Sequence, residues 1–98
     1  MAMNHSRASL RRGALGCSAA DFAVTESRLL VWCAACRELR ELSGQVLLDR
    51  AGATATIADI LPRLRCSRPG CGAAPLRVDA VDRWGYRRVQ ISGPGAPM

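Results

Sequence analysis

Four of the five cysteines in this 98-residue chain fall into two close pairs, Cys33/Cys36 and Cys66/Cys71. A thiolate is both a nucleophile and a soft metal ligand, so paired cysteines raise three chemistries: thiol–disulfide exchange, disulfide stapling and metal binding. Tetrahedral Zn2+ takes four thiolates at about 2.3 Å, and two residues between a pair let both sulfurs converge on one ion while the backbone between them turns. Cys33-Ala34-Ala35-Cys36 has that spacing. Cys66 and Cys71 have four residues between them, at the upper end of the usual range, and Pro69-Gly70 supplies the tight bend a longer turn needs. The expectation is one structural four-cysteine zinc site made by Cys33, Cys36, Cys66 and Cys71. Four cysteines close the coordination shell, whereas catalytic zinc keeps a position open for water, and the only histidine is the distant His5. No enzymatic activity and no small-molecule substrate are expected.

A redox alternative attaches to the first pair. Trp32-Cys33-Ala34-Ala35-Cys36 resembles the W-C-x-x-C centre of thioredoxin-like proteins, which implies a thiol–disulfide oxidoreductase using Cys33 and Cys36. The strand–helix alternation of that fold is not visible in residues 37–98. Haem attachment would need a histidine where Arg37 stands.

The elements that must position these sulfurs are short. Leu29-Leu30-Val31-Trp32 reads as a strand running into the first pair. Residues 37–42 fit either a returning strand or a helix, since Leu39, Leu42 and Val46 also keep helical spacing. Ser43 is placed to cap a helix to Arg50, with Gly52 ending it in the left-handed conformation. Thr54 is the next candidate cap, opening a helix through Ile57, Ile60, Leu61 and Leu64 that Pro62 should break into two short turns. After the second pair, Leu76–Val81 and Tyr86–Ile91 form a hairpin around Asp82-Arg83-Trp84-Gly85.

The fold class that follows is small α+β: a zinc-ribbon-like module of two Cys-pair turns, short strands and a C-terminal β-hairpin, with an inserted helical segment. Residues 1–25, a mixture of Ser, Ala, Gly and Arg without a sustained period, read as a disordered leader in which Cys17 is a spectator; residues 26–92 form the zinc-binding domain and 93–98 a flexible tail. Val31–Cys36, followed by Leu47, Gly52, Ile57, Leu61, Arg63–Arg68 and Cys71-Gly72, resembles the small uncharacterised zinc-ribbon-like proteins of proteobacteria over about residues 29–80. The resemblance implies a zinc-stabilised domain and no particular activity. The four-residue gap in the second pair departs from that family's usual C-x-x-C-G.

The formal net charge of +6 favours acidic partners, although four thiolates binding Zn2+ would take two charges from it. Arg77, Arg83, Arg87 and Arg88, with Trp84 and Tyr86, would make a basic, aromatic-bearing hairpin able to contact phosphates and stack on bases. The competing partner is another protein, docked on an apolar surface or on the Leu39/Leu42 stretch. Asp79 and Asp82 read as solvent-facing charges and not as a catalytic acid pair. No run approaches the roughly 18 apolar residues of a membrane span, and C-x-x-C spacing with an odd cysteine count fits the reducing cytoplasm.

Overall fold

The computed structural model of the protein describes residues 7–85 and 87–95. In chain order these form α1 (Arg7–Gly16), α2 (Ala19–Val24), β1 (Arg28–Cys33), β2 (Leu39–Ser43), α3 (Gly44–Ala51), α4 (Ile57–Ile60), a single 3-10 turn (Leu61–Arg63), β3 (Pro75–Val81) and β4 (Arg88–Ser92). The strands make one antiparallel sheet in the order β2-β1-β3-β4. The architecture is therefore small α+β.

Residues 37–42, open between helix and strand in sequence, extend into β2. Arg37 adopts φ 55, which turns the chain back on itself, and Trp32 then pairs with Leu39 and Leu29 with Leu42. Ser43 ends the strand and caps α3 by accepting the Val46 backbone N–H at 3.2 Å. Gly52 closes that helix as expected but at φ 89 and ψ 161, an extended glycine conformation outside the left-handed helical region.

Leu29 and Val31 on β1, Val78 and Ala80 on β3, and Val89 and Ile91 on β4 share one face of the sheet, because alternate residues of a strand point the same way. Phe22, Leu47, Ile57 and Ile60 cover that face from the helices. Full burial of a side chain of this size contributes about 1.5–3 kcal/mol, which makes this layer the main source of stability.

Two expectations need correction here. Residues 7–25 are not a structureless leader. Ser18 and Asp21 form a capping box that starts α2, with Asp21 N–H to Ser18 Oγ at 3.0 Å and Ser18 N–H to Asp21 Oδ2 at 3.1 Å. Ala19 and Phe22 then enter the core, and Arg11 Nε on α1 donates to the Ile91 carbonyl at 3.2 Å. The helices are short, and their stability comes from the apolar residues they bury and not from a long periodic pattern. The cap of α4 is Thr56 and not Thr54: Thr56 and Asp59 form a second capping box, which outcompetes a threonine with no acidic residue three positions on. The two boxes are stitched together, as Ala19 N–H donates to Ala55 O and Ile57 N–H to Cys17 O, each at 2.8 Å. Pro62 does split the segment, falling in the 3-10 turn that follows α4.

No helix among the described residues is long and apolar enough to cross a membrane. Gly93–Gly95 are described and Gln90 Nε2 donates to the Pro94 carbonyl at 2.8 Å, while residues 96–98 of the expected tail lie outside the described residues.

Candidate metal centre

The register of the sheet explains how four cysteines from distant parts of the chain meet. β1 ends at Cys33, and the turn into β2 carries Cys36. β3 runs antiparallel to β1, so its first residue, Pro75, pairs with Cys33 across a bulge. The loop that delivers the chain to Pro75 is the one bearing Cys66 and Cys71, and it therefore arrives at the same end of the sheet.

The four sulfurs lie within 4.8 Å of one another. Cys33 Sγ is 3.6 Å from Cys71 Sγ, and Cys36 Sγ is 3.7 Å from Cys66 Sγ. A tetrahedron with metal–sulfur bonds of about 2.3 Å has edges of about 3.8 Å, so these separations fit four ligands around one zinc-sized ion. They are far longer than the roughly 2.05 Å of a disulfide, and all five cysteines are free. The four cysteines can hold a metal ion.

Each turn is built alike. Cys36 N–H points at Cys33 Sγ at 3.4 Å, and the Arg68 backbone N–H does the same for Cys66. The residue after each pair takes a left-handed backbone, Arg37 at φ 55 and Gly72 at φ 63. Gly70, at φ 84, absorbs the two extra residues of the longer turn. Cys66 N–H to Ala73 O at 2.8 Å and Arg68 to Glu38 at 3.3 Å fasten the loop to itself and to the β1–β2 turn.

The thiols differ in their readiness to ionise. The Arg68 N–H is the chief cause that draws the Cys66 thiol down to about 7 against its burial, with smaller help from the neighbouring thiols. Cys36 is pushed up to about 12, first by its hydrogen bond with Cys71, then by burial and by the other two thiols. A divalent cation held by these four thiolates would replace this competition between thiols by a common attraction.

Cys17 stands apart, half-buried near the start of α2, with its thiol donating to Gly13 O at 3.3 Å and its pKa raised by burial and by Asp21. The redox reading meets an obstacle. The W-C-x-x-C run lies on a hairpin turn followed by β2, so Cys33 does not sit at the helix N-terminus that activates such a thiol.

The expected basic hairpin is largely committed elsewhere. Asp79, read as a solvent-facing charge, is fully buried: Arg77 Nε and Nη2 donate to it at 2.8 and 3.1 Å and Arg88 Nε at 2.7 Å. Arg77 and Asp79 share a face because they are two apart on β3, and Arg88 arrives diagonally from β4. The i, i+2 spacing is legible in the sequence but does not by itself tell a buried pair from an exposed one. Arg83 pairs with Glu26 at 3.4 Å and lies 4.7 Å over the Trp84 ring, which is 65% exposed. Arg87 is exposed and makes no ion pair among the described residues, and Tyr86 lies outside them. A second basic group passed unnoticed in the sequence: Arg40, Arg50, Arg63 and Arg65 surround one cavity beside the cysteines.

No family model, no curated protein and no solved structure matches the chain.

Proposed function

We propose that this chain is a zinc-stabilised binding module in which Cys33, Cys36, Cys66 and Cys71 hold one structural Zn2+ and the metal performs no chemistry. The observation that carries the reading is four free sulfurs within 4.8 Å of one another, with the two pairs in contact at 3.6 and 3.7 Å, close to the edge of a zinc–thiolate tetrahedron. Soft thiolate sets with this geometry select zinc or iron, and four protein ligands leave no position for water or substrate. The resemblance of the cysteine pattern to zinc-ribbon-like proteins of proteobacteria points the same way. Free thiols also suit a reducing compartment, the cytoplasm in this reading.

Metal analysis of protein purified without chelator tests this directly, with thiols titrated before and after metal removal. One zinc per chain and the unmasking of the four clustered thiols are expected. Iron in the site, or four clustered thiols that titrate freely in metal-free protein as first purified, refutes it.

For the partner, a nucleic acid is favoured by one specific feature, the exposed Trp84 with Arg83 against its ring. Such a surface stacks on bases and offers charge to phosphates. Gel shift of single- and double-stranded probes across a salt series checks it. Binding that Trp84→Ala abolishes is expected, and no binding at low salt leaves a protein as the partner.

A further inference from the structure

Beside the metal centre, α3 and the α4 region stand off from β1 and β2 and enclose a cavity of about 250 Å³. Leu42, Val46, Leu47, Ile60 and Leu64 supply much of its apolar wall. Leu47 and Ile60 are buried and the other three half-buried, whereas Arg50, Arg63 and Arg65 are exposed. The site is therefore apolar within and basic at its outer side, and no acidic residue lines it among those described.

The arginines are not fully used by the fold. Arg65 Nη1 donates to the carbonyls of Pro62 and Leu64, and Arg40 Nη2 to Glu38. Arg40 Nε, however, is buried without a hydrogen-bond partner, an unfavourable state that a ligand or water would relieve. Arg50 and Arg63 make no ion pair among the described residues. A zinc ion with four thiolates carries two negative charges, and Cys33 and Cys66 of that centre border the cavity. Arg40 is already paired with Glu38 and Asp59 acts on Arg63 at longer range, so the donors left for an incoming anionic group are those of Arg50, Arg63 and Arg65, none of which is in an ion pair among the described residues.

We infer that this cavity binds a small amphipathic carboxylate, its apolar body among Leu42, Val46, Leu47 and Leu64 and its anionic head against the arginines. The volume falls just below the roughly 300–1,000 Å³ of sites for drug-sized ligands, which suits a body of about eight to ten heavy atoms. The inference goes beyond the zinc reading and uses the metal centre only as one wall.

The test uses the full-length, zinc-loaded protein with octanoate as probe and 1-octanol as its uncharged counterpart, followed by calorimetry and by amide shifts in NMR. Octanoate should bind with one site per chain and move the amides of Leu42, Val46, Leu47 and Leu64. Octanol should bind about ten-fold more weakly or worse, the size expected for loss of a charge-assisted contact. Arg50→Gln and Arg63→Gln, both at exposed positions and so tolerated by the fold, should each weaken octanoate several-fold and leave octanol unchanged. Equal binding of the two probes, indifference to both substitutions, shifts confined to another surface, or no binding at about 10 mM overturns the inference. Zinc measured in the same samples separates the readings. Zinc present without octanoate binding refutes the pocket alone, and octanoate binding without zinc refutes the metal alone.

Discussion

Replacing Asp79 by Asn removes one charge at the point where three hydrogen bonds from two arginines converge on a carboxylate with no solvent exposure. Losing one partner of a fully buried pair costs about 3–5 kcal/mol. Here the surviving partners are half exposed, at 45% and 48%, and regain water when the pair is broken, which brings the expected loss down to about 2–3 kcal/mol. For a domain of about 100 residues that lowers Tm by about 10–20 °C. The pH dependence gives a second signature. Burial alone would raise the Asp79 pKa, but the hydrogen bonds and charges of Arg77 and Arg88 outweigh it and hold the carboxyl below its ordinary value. A lowered folded-state pKa contributes stability that is complete above the unfolded value of about 3.9 and is lost as pH falls through the folded one. The gap between wild type and Asp79→Asn should thus be constant from about pH 5 to 8 and close below about pH 4. Urea unfolding of both proteins in matched buffers measures it, and the difference is the readout because acid protonates the cysteines of both alike. A variant as stable as wild type at pH 7, or a gap that ignores pH, refutes the buried-triad account.

Four further substitutions have worked outcomes. A Cβ on Gly44 would clash with the Phe22 carbonyl carbon and Ala23 N, both backbone atoms, so Gly44→Ala must force α2 and α3 apart; a loss of about 3 kcal/mol or more is expected in thermal unfolding. Arg37→Gly should instead stabilise by about 0.5–1 kcal/mol, since φ 55 costs a residue with a Cβ about 1–2 kcal/mol and glycine gives part of that back in chain entropy. Cys17→Ser should leave metal content unchanged while Cys66→Ser loses it, read by elemental analysis, because only the second sulfur lies in the cluster.

What the sequence disclosed was the part written in local, short-range signals. The cysteine spacing, the Ser43 cap, the break at Pro62 and the hairpin turn after Val81 each depend on residues a few positions apart, and each is present. The helices of residues 7–24 were hidden because α2 has only six residues and is held by Ala19 and Phe22 entering a core assembled from distant strands. Asp79 was misread for a similar reason. Its exposure is decided by arginines on its own strand and the next one, and a carboxylate two residues from an arginine looks the same in sequence whether the pair faces water or closes over itself. The Arg40, Arg50, Arg63 and Arg65 group spans β2, α3 and the segment after α4, and becomes a group only when those elements fold together.

The position of the metal centre dictates how the protein should respond to its loss. The cluster lies at one end of the sheet, and the residues it ties down, the β1–β2 turn and the loop through residues 64–74, are otherwise held mainly by local bonds, among them Cys33 N–H to Glu38 O, Arg37 N–H to Cys33 O, Cys66 N–H to Ala73 O and Cys71 N–H to Arg68 O, and by the exposed Arg68–Glu38 pair. The buried layer of Phe22, Leu29, Ile57, Val78 and Ile91 does not include the cysteine loop, and the paired capping boxes at Ser18 and Thr56 are independent of it. Chelation should therefore act in two stages. The cavity goes first, because Leu64, Cys66, Ala73 and Pro75 form part of its wall, and octanoate binding should vanish with the metal. Helical signal in far-ultraviolet circular dichroism should survive that step at low temperature and melt afterwards at a reduced Tm. A single transition, with helix content lost in step with the metal, would mean that the core cannot stand without the cluster and that the apolar layer contributes far less than its burial implies.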